Sequence, residues 1–341
     1  MKTWCSFACA TLVVIATQPA CREGGAERPT QPARLDWAIA IHGGAGTIPR
    51  TMDATQVAAY QDALRAALSL GRERLVAGAS SLDVVEAVVR VLEDDPLFNA
   101  GKGAVFTHDG THELDASIMD GRSLACGAVA GVKTVRHPIS LARLVMDKTK
   151  HVLLAGEGAD RFARELGVEL VDNAWFDTDR RRQQWLEALA KESAPIDAGP
   201  ASPAGAGVKG TVGVVALDRA GHLAAATSTG GLTAKRWGRV GDSPVVGAGT
   251  YANDATVAVS CTGTGEQFIR HGVARTVSAR VELLHEDVEA AAQGALAPLA
   301  PGDGGIIAVD RHGHIAFVFN TDGMYRAAAD ASGRFEVAIW R

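Results

Sequence analysis

Two pairs of apolar runs, each joined by a short polar turn, constrain the fold of this chain most strongly. The pairs are residues 211–217 with 223–227, and residues 306–309 with 315–319. Apolar residues stand on consecutive positions in these runs, which indicates strands that are covered on both faces. We therefore predict two antiparallel hairpins in an α+β fold, a four-layer αββα sandwich of two stacked sheets with helices outside.

Two further patterns predict regular structure in the first half of the chain. Residues 37–41 form a short apolar run that leads into Gly43, Gly44 and Gly46, as a buried strand leads into a tight turn. Between Ser81 and Asp95, apolar residues recur at steps of three and four, and the pattern is typical of an amphipathic helix. Its apolar positions are Leu82, Val85, Val88, Val89 and Leu92.

Residues 191–210 are rich in Ala, Gly, Pro and Ser and nearly lack long apolar side chains. Such a segment cannot bury enough surface to offset its ordering entropy, so we predict a flexible linker. The linker divides the chain into a first body, residues 37–190, and a second segment, residues 211–341.

The first twenty residues have the order of a secretory signal, namely Lys2, a short apolar stretch and then polar residues. A cut after Ala16 is favoured, whereas lipid attachment at Cys21 is the weaker alternative because the expected aliphatic residue is missing upstream. The stretch from 21 to 36 is then a polar leader. The predicted location is periplasmic or secreted.

The chain has 341 residues and a formal net charge of −5, with the charges mixed along the sequence. No basic segment predicts nucleic-acid binding, and the apolar part of the signal is too short to span a membrane. A small-molecule or dipeptide substrate is therefore expected.

Four segments combine glycines with small hydroxyl residues and isolated charges: residues 210–213, 227–231, 238–243 and 261–266. Glycine lets backbone amides approach a ligand, and hydroxyl groups supply nucleophiles and hydrogen bonds. Alternatively, these segments could be simple turns, and Arg239 and Asp242 could form a surface ion pair. A phosphate loop at Gly263 is excluded because its third glycine and its Lys-Ser/Thr pair are missing.

Taken in order, these segments resemble the plant-type L-asparaginase and isoaspartyl peptidase family of N-terminal nucleophile hydrolases. The resemblance covers nearly the whole chain after the leader, apart from the linker and the C-terminal end. It is carried by IHGGAG from Ile41, LEDDPLFNAGKGAVFT, HELDASIMDG, GTVGVVALD, AAATSTGG, GRVGDSPVVGAGTYAN, CTGTGEQFIR and FNTDGMYRA.

This resemblance implies that the chain cuts itself between Gly210 and Thr211, and that Thr211 becomes an N-terminal nucleophile. A freed α-amino group has a pKa of roughly 7.7 to 8.0, so it can serve as the general base for its own hydroxyl. The resemblance also implies that Thr229 orients Thr211, and that the Thr262 hydroxyl and the Gly263 amide hold the oxyanion.

Asparagine and β-aspartyl peptides present an α-carboxylate and an α-ammonium, and a buried site must satisfy both charges. Arg239 fits the carboxylate and Asp242 the ammonium. By the resemblance, the Gly265 carbonyl helps to hold the ammonium, and Asn99 supports the surroundings of the nucleophile.

The resemblance further implies a structural sodium ion, no catalytic cofactor, and two cut chains paired as an (αβ)2 homodimer. The sodium ligands would be the backbone carbonyls of Leu92, Glu93, Asp95, Phe98, Ala100 and Lys102.

Three positions depart from the family pattern: Ala234 and Asp254 replace common asparagines, and Lys102 lies in a variable loop. None is the nucleophile, so they concern substrate preference. A glycosylasparaginase or a threonine endopeptidase on the same scaffold is the alternative enzyme, although Gly210 replaces the aspartate typical of glycosylasparaginases. An uncut relative that only binds asparagine-like ligands is the non-enzymatic alternative.

Overall fold

The computed structural model describes Met1, residues 34–193 and residues 210–341. The predicted signal segment, most of the polar leader and residues 194–209 of the predicted linker lie outside the described residues. Within the described residues the strands are β1 (Ala38–Gly46), β2 (Leu114–Asp120), β3 (Cys126–Val132), β4 (Leu153–Ala155), β5 (Val212–Leu217), β6 (Leu223–Thr229), β7 (Thr250–Ala252), β8 (Val257–Gly263), β9 (Gly304–Asp310), β10 (Ile315–Phe319), β11 (Gly323–Asp330) and β12 (Phe335–Trp340).

The same residues also form eight α-helices. They are α1 (Ala54–Val76), α2 (Ser81–Asp94), α3 (Pro138–Lys148), α4 (Gly156–Glu165), α5 (Asp179–Ser193), α6 (Gly265–His271), α7 (Val273–Leu284) and α8 (Val288–Leu296). An eight-stranded sheet has the order β12-β11-β1-β5-β6-β2-β3-β4, and a four-stranded sheet has the order β10-β9-β8-β7. Helices α1 to α3 cover the large sheet, α7 and α8 cover the small sheet, and the two sheets face each other. The predicted αββα sandwich is confirmed.

The consecutive apolar residues of the strands explain this layering. In β1, Ile39 and Ile41 point into the core under α1 and α2, whereas Ala38 and Ala40 point into the core between the sheets. Side chains of a strand alternate between faces, so a strand buried on both faces needs apolar residues at every position.

Both predicted hairpins are confirmed. Strands β5 and β6 pair antiparallel from Val212 opposite Ser228 to Leu217 opposite Leu223, and β9 pairs antiparallel with β10. The predicted amphipathic helix is α2, which is capped by the Ser80 side chain accepting from the Asp83 amide.

Two sequence predictions were wrong in their boundaries. The glycines after residue 41 do not form a tight turn, because β1 continues through them to Gly46 with an irregular register between His42 and Gly44. A Cβ at Gly43 would lie 2.4 Å from the Phe98 ring, so this glycine makes room for a packed aromatic side chain. The predicted linker also begins too early, since α5 extends through Ser193.

The two segments on either side of the linker share one sheet. Strand β1 of the first segment lies between β5 and β11 of the second, and β2 pairs with β6. A cut at residue 210 would therefore leave the two pieces joined by backbone ladders and a common core. Among the described residues, no helix is long and apolar enough to cross a bilayer.

Candidate active site

Thr211 lies immediately before β5, at the edge of the interface between the sheets, and is nearly buried. Its hydroxyl donates a hydrogen bond to Thr229 Oγ1 over 3.1 Å. Thr229 ends the neighbouring strand β6 and also accepts from the Gly231 amide at 3.0 Å. The Thr229 hydroxyl is thus held in place and fixes the direction of the Thr211 hydroxyl.

The peptide before Thr211 is held by Asn99. The Asn99 amide donates to the Gly210 carbonyl at 2.9 Å, and a Cβ at Gly210 would lie 2.9 Å from the Asn99 Cβ. The Asn99 side chain donates to the Gly231 carbonyl and accepts from the Val105 amide. Asn99 therefore joins the loop after α2 to both sides of the candidate nucleophile.

The structure brings Arg239, Asp242 and Gly265 together. A Cβ at Gly265 would lie 2.8 Å from Arg239 Nη2 and 3.0 Å from Asp242 Oδ1. Asp242 is buried, and burial raises the pKa of its carboxyl group to about 7 even though Arg239 opposes this shift. Among the described residues, Asp242 Oδ2 has no hydrogen-bond partner. A ligand ammonium would supply one.

The alternative of a surface ion pair between Arg239 and Asp242 is wrong. The salt bridge of Arg239 is made with Glu266, whose two carboxylate oxygens accept from Nε at 2.9 Å and Nη2 at 3.0 Å. Sequence reasoning missed Glu266, although this residue directly follows Gly265 in one of the recognised segments.

Thr262 and Gly263 end strand β8 on the facing sheet. Thr262 is buried, and its Oγ1 makes no hydrogen bond to any residue that the structure describes. Gly263 has φ +152°, and a Cβ there would lie 2.0 Å from the Asp303 carbonyl oxygen, so only glycine fits. The structure shows no direct hydrogen bond between Thr262 and Thr211; the two hydroxyls lie on different sheets.

A buried chain of polar groups that sequence reasoning missed connects the two sheets. His42 Nδ1 lies 3.0 Å from the Thr211 carbonyl oxygen, and its Nε2 lies 2.9 Å from Ser260 Oγ. Burial lowers the pKa of His42 to about 3, so the ring is neutral. Because a carbonyl can only accept, Nδ1 carries the proton and Nε2 accepts from Ser260.

Hydroxyl groups extend this chain towards Asp242. A Cβ at Gly213 would lie 2.0 Å from Ser260 Oγ and 2.3 Å from His42 Nε2, so Gly213 leaves the space that the chain occupies. Hydroxyl groups in hydrogen-bond contact continue from Ser260 to Thr227 (2.7 Å), Thr250 (2.5 Å) and Ser117 (2.8 Å). The single hydrogen of the Ser117 hydroxyl can go either to Thr250 or to the Ser243 carbonyl, which lies 2.6 Å away.

The loop after α2 has the features of a carbonyl cradle. A Cβ at Gly101, which has φ +49°, would lie 2.1 Å from the Glu93 carbonyl oxygen, and one at Gly103 would lie 2.0 Å from that of Phe98. The last turn of α2 carries no basic residue to interact with its carbonyls. The Lys102 side chain points away to the Trp175 carbonyl, so only its backbone oxygen is available to the loop.

Two of the departures from the family pattern, Ala234 and Asp254, have local structural consequences. Ala234 has φ +57°, a conformation that asparagine adopts more readily than alanine. Asp254 accepts from the Leu223 amide and contacts His222 Nδ1 at 2.8 Å, so it closes the hairpin turn between β5 and β6. In neither case does the altered side chain contact Thr211, Arg239 or Asp242.

Residues 35–339 match the family model described as Asparaginase. The isoaspartyl peptidase of Escherichia coli K12 is 51% identical over 308 residues, which cover 89% of this chain and 96% of that protein. A probable isoaspartyl peptidase/L-asparaginase 2 of Arabidopsis thaliana is 46% identical over 325 residues, which cover 89% of this chain and 99% of that protein. A plant-type L-asparaginase of Pyrococcus furiosus is 44% identical over 309 residues, which cover 84% of this chain and 94% of that protein.

Proposed function

Since the chain belongs to the asparaginase family, we propose that it is an amidohydrolase that activates itself and then releases L-aspartate from L-asparagine and β-aspartyl dipeptides. The observation that supports this most directly is the placement of Thr211. Thr229 orients the Thr211 hydroxyl, and the Asn99 amide donates a hydrogen bond to the carbonyl of the preceding residue, Gly210. An oriented hydroxyl beside a fixed carbonyl is the geometry that an internal acyl shift needs.

In the self-cleavage step, Thr211 Oγ1 attacks the Gly210 carbonyl carbon. The negative charge that develops on the carbonyl oxygen is stabilised by the Asn99 N–H, which already donates to that oxygen. The C–N bond breaks, the hydroxyl proton goes to the leaving nitrogen, and an ester forms. Water hydrolyses the ester, which leaves an α subunit that ends at Gly210 and a β subunit that begins with Thr211.

In substrate hydrolysis, the freed amino group of Thr211 takes the proton of its own hydroxyl, and Oγ1 attacks the side-chain amide carbon. The Thr262 hydroxyl and the Gly263 amide receive the oxyanion. The amine leaves with the proton, and water hydrolyses the aspartyl ester. Arg239 binds the α-carboxylate, while Asp242 and the Gly265 carbonyl bind the ammonium.

Turnover by the purified, cut protein tests this function. L-asparagine, a β-aspartyl dipeptide, an α-aspartyl dipeptide and a glycosylated asparagine would be supplied separately, and released L-aspartate would be measured. Hydrolysis of the first two alone supports the proposal. Preference for glycosylated asparagine would assign the chain to the alternative enzyme, and binding without turnover would assign it to the inactive alternative.

A structural sodium ion is proposed for the loop after α2. The carbonyls of Leu92, Glu93, Asp95, Phe98, Ala100 and Lys102 would hold it, since hard oxygen donors at a helix C-terminus suit a cation. The ion would stabilise the loop that carries Asn99. Equal thermal unfolding in sodium chloride and in N-methylglucamine chloride would argue against it.

Export to the periplasm, or secretion, is proposed from the signal-like first twenty residues, with lipid attachment at Cys21 as the alternative. The mass of the chain recovered from fractionated host cells distinguishes these outcomes. Retention of Met1 in a cytoplasmic fraction would overturn export.

Pairing of two cut chains as an (αβ)2 homodimer is proposed from the family resemblance. Light scattering of the cut protein should give twice the mass of one αβ unit. The mass of a single unit at micromolar concentration would refute the pairing.

A further inference from the structure

Glu266 holds one defined edge of the Arg239 guanidinium. Its carboxylate accepts from Nε and from Nη2, at 2.9 and 3.0 Å. These two nitrogens form the side-on fork of an arginine. A guanidinium carries five N–H donors in a rigid plane, so the end-on fork, made by Nη1 and the second hydrogen of Nη2, is still available.

Two glycines border the end-on fork. A Cβ at Gly241 would lie 2.7 Å from Arg239 Nη1, and one at Gly265 would lie 2.8 Å from Nη2. The same Cβ at Gly265 would lie 3.0 Å from Asp242 Oδ1. Among the described residues, Nη1 makes no hydrogen bond. The end-on fork is therefore bordered by two residues that have no side chain and lies near the candidate ammonium-binding carboxylate.

We propose that Glu266 is a positioning residue for substrate selection, which fixes Arg239 by its side-on fork so that the end-on fork receives the substrate α-carboxylate. This inference rests on the proposed function. Glu266 does not contact the reacting amide; it acts through Arg239. It lies in the first turn of α6, directly after Gly265, so one segment fixes the guanidinium and supplies the glycine beside it.

The pair also affects the charge of Asp242. Burial raises the pKa of Asp242, Arg239 lowers it, and the negative charges of Glu266 and Asp115 raise it. Removal of the Glu266 charge leaves Arg239 uncompensated, and the pKa of Asp242 falls.

The test compares Glu266→Gln and Glu266→Asp with wild type, all in the cut form. Glu266→Gln removes the charge at nearly constant shape. We expect KM for a β-aspartyl dipeptide to rise about fivefold with kcat changed less than about twofold, because a partly exposed charged pair contributes a factor of about five at most to binding. The acid side of the kcat/KM profile should move to lower pH, and Glu266→Asp should recover part of the KM loss.

Glu282→Gln is the matched control, since it breaks an Arg275–Glu282 pair of similar length on α7. Calorimetric binding of L-aspartate adds a readout that does not need turnover, and Glu266→Gln should weaken this binding about fivefold. If wild type binds L-aspartate but hydrolyses neither substrate, the proposed function fails while the binding comparison still decides this inference. Unchanged or tighter binding in Glu266→Gln would overturn it, since tighter binding would make Glu266 a competitor for Arg239.

Discussion

Asp242 and His42 are both buried, yet burial moves their pKa values in opposite directions. It raises that of Asp242 to about 7 and lowers that of His42 to about 3. The low-dielectric interior disfavours the charged form in each case, which is the anion of an acid and the cation of a base. At neutral pH, His42 is neutral, and Asp242 is poised to gain its charge as an ammonium approaches.

The pH dependence of activity follows from Asp242. Asp242 must be deprotonated to bind an ammonium, so kcat/KM should rise as the pH rises through about 7. The freed amino group of Thr211 must also be deprotonated, with a pKa of roughly 7.7 to 8.0, so the rise should be steeper than for one group. Asp242→Asn should lower kcat/KM and leave a shallower, single-group rise. A profile that is flat between about pH 5 and 8 would contradict both assignments.

Arg239→Lys should weaken substrate selection even though the positive charge remains. A lysine has no planar fork and cannot hold Glu266 and a carboxylate at two fixed edges. A loss on the order of 2 kcal/mol, about thirtyfold in kcat/KM, is expected for asparagine. An analogue blocked at the α-carboxylate should be a poor substrate for wild type and for Arg239→Lys alike. Equal hydrolysis of asparagine and the blocked analogue by wild type would exclude the carboxylate role.

At the scale of strands, the site depends on contacts between β1, β5 and β8. His42 on β1 bonds to Ser260 on β8, 218 positions away in sequence, and Gly213 on β5 leaves the space between them. The individual strands could be predicted, because their apolar runs are local. The hydrogen-bonded side chains between the sheets could not be predicted. Their residues, His42, Ser260 and the adjoining Gly213, are far apart in sequence and meet only when the sheets are stacked.

Gly213→Ala should damage the molecule at this junction. A methyl group there would overlap both Ser260 Oγ and His42 Nε2, so the hydrogen bond to the Thr211 carbonyl would be displaced. Overpacking plus lost buried hydrogen bonds should cost about 2 to 4 kcal/mol of unfolding free energy. Urea unfolding of the uncut Thr211→Ala background would measure it.

Gly158→Ala is the matched control, because a Cβ at that helical position meets no atom within 4 Å. It should change stability by less than about 1 kcal/mol. If Gly213→Ala has the same unfolding free energy as Gly158→Ala, the hydrogen-bonded side chains around His42 and Ser260 tolerate displacement, and the prediction is wrong.

At the scale of the whole molecule, the layered architecture could be predicted from the sequence, whereas two boundaries could not. The sequence predicts a turn at the glycines of β1, since only the packed Phe98 ring shows why the strand has a glycine at position 43. Arg239 and Asp242 both lie beside Gly265. Glu266 could not be predicted as a site residue, because its partner Arg239 is 27 positions away and no local sequence pattern links the two.

The interleaved sheet would hold the two pieces together after the proposed cut. Strand β1 is bonded on both sides by strands from beyond the cut, β5 and β11. The new N-terminus at Thr211 would therefore keep its contacts with Thr229 and His42 after the peptide bond breaks.

Intact mass spectrometry of freshly purified protein under denaturing conditions tests the central claim most directly. Wild type should give two chains, one that ends with Gly210 and one that begins with Thr211, at a rate independent of protein concentration. Thr211→Ala should remain a single chain. Cleavage of Thr211→Ala at the same bond, or hydrolysis of asparagine by wild type that has never been cut, would contradict the account.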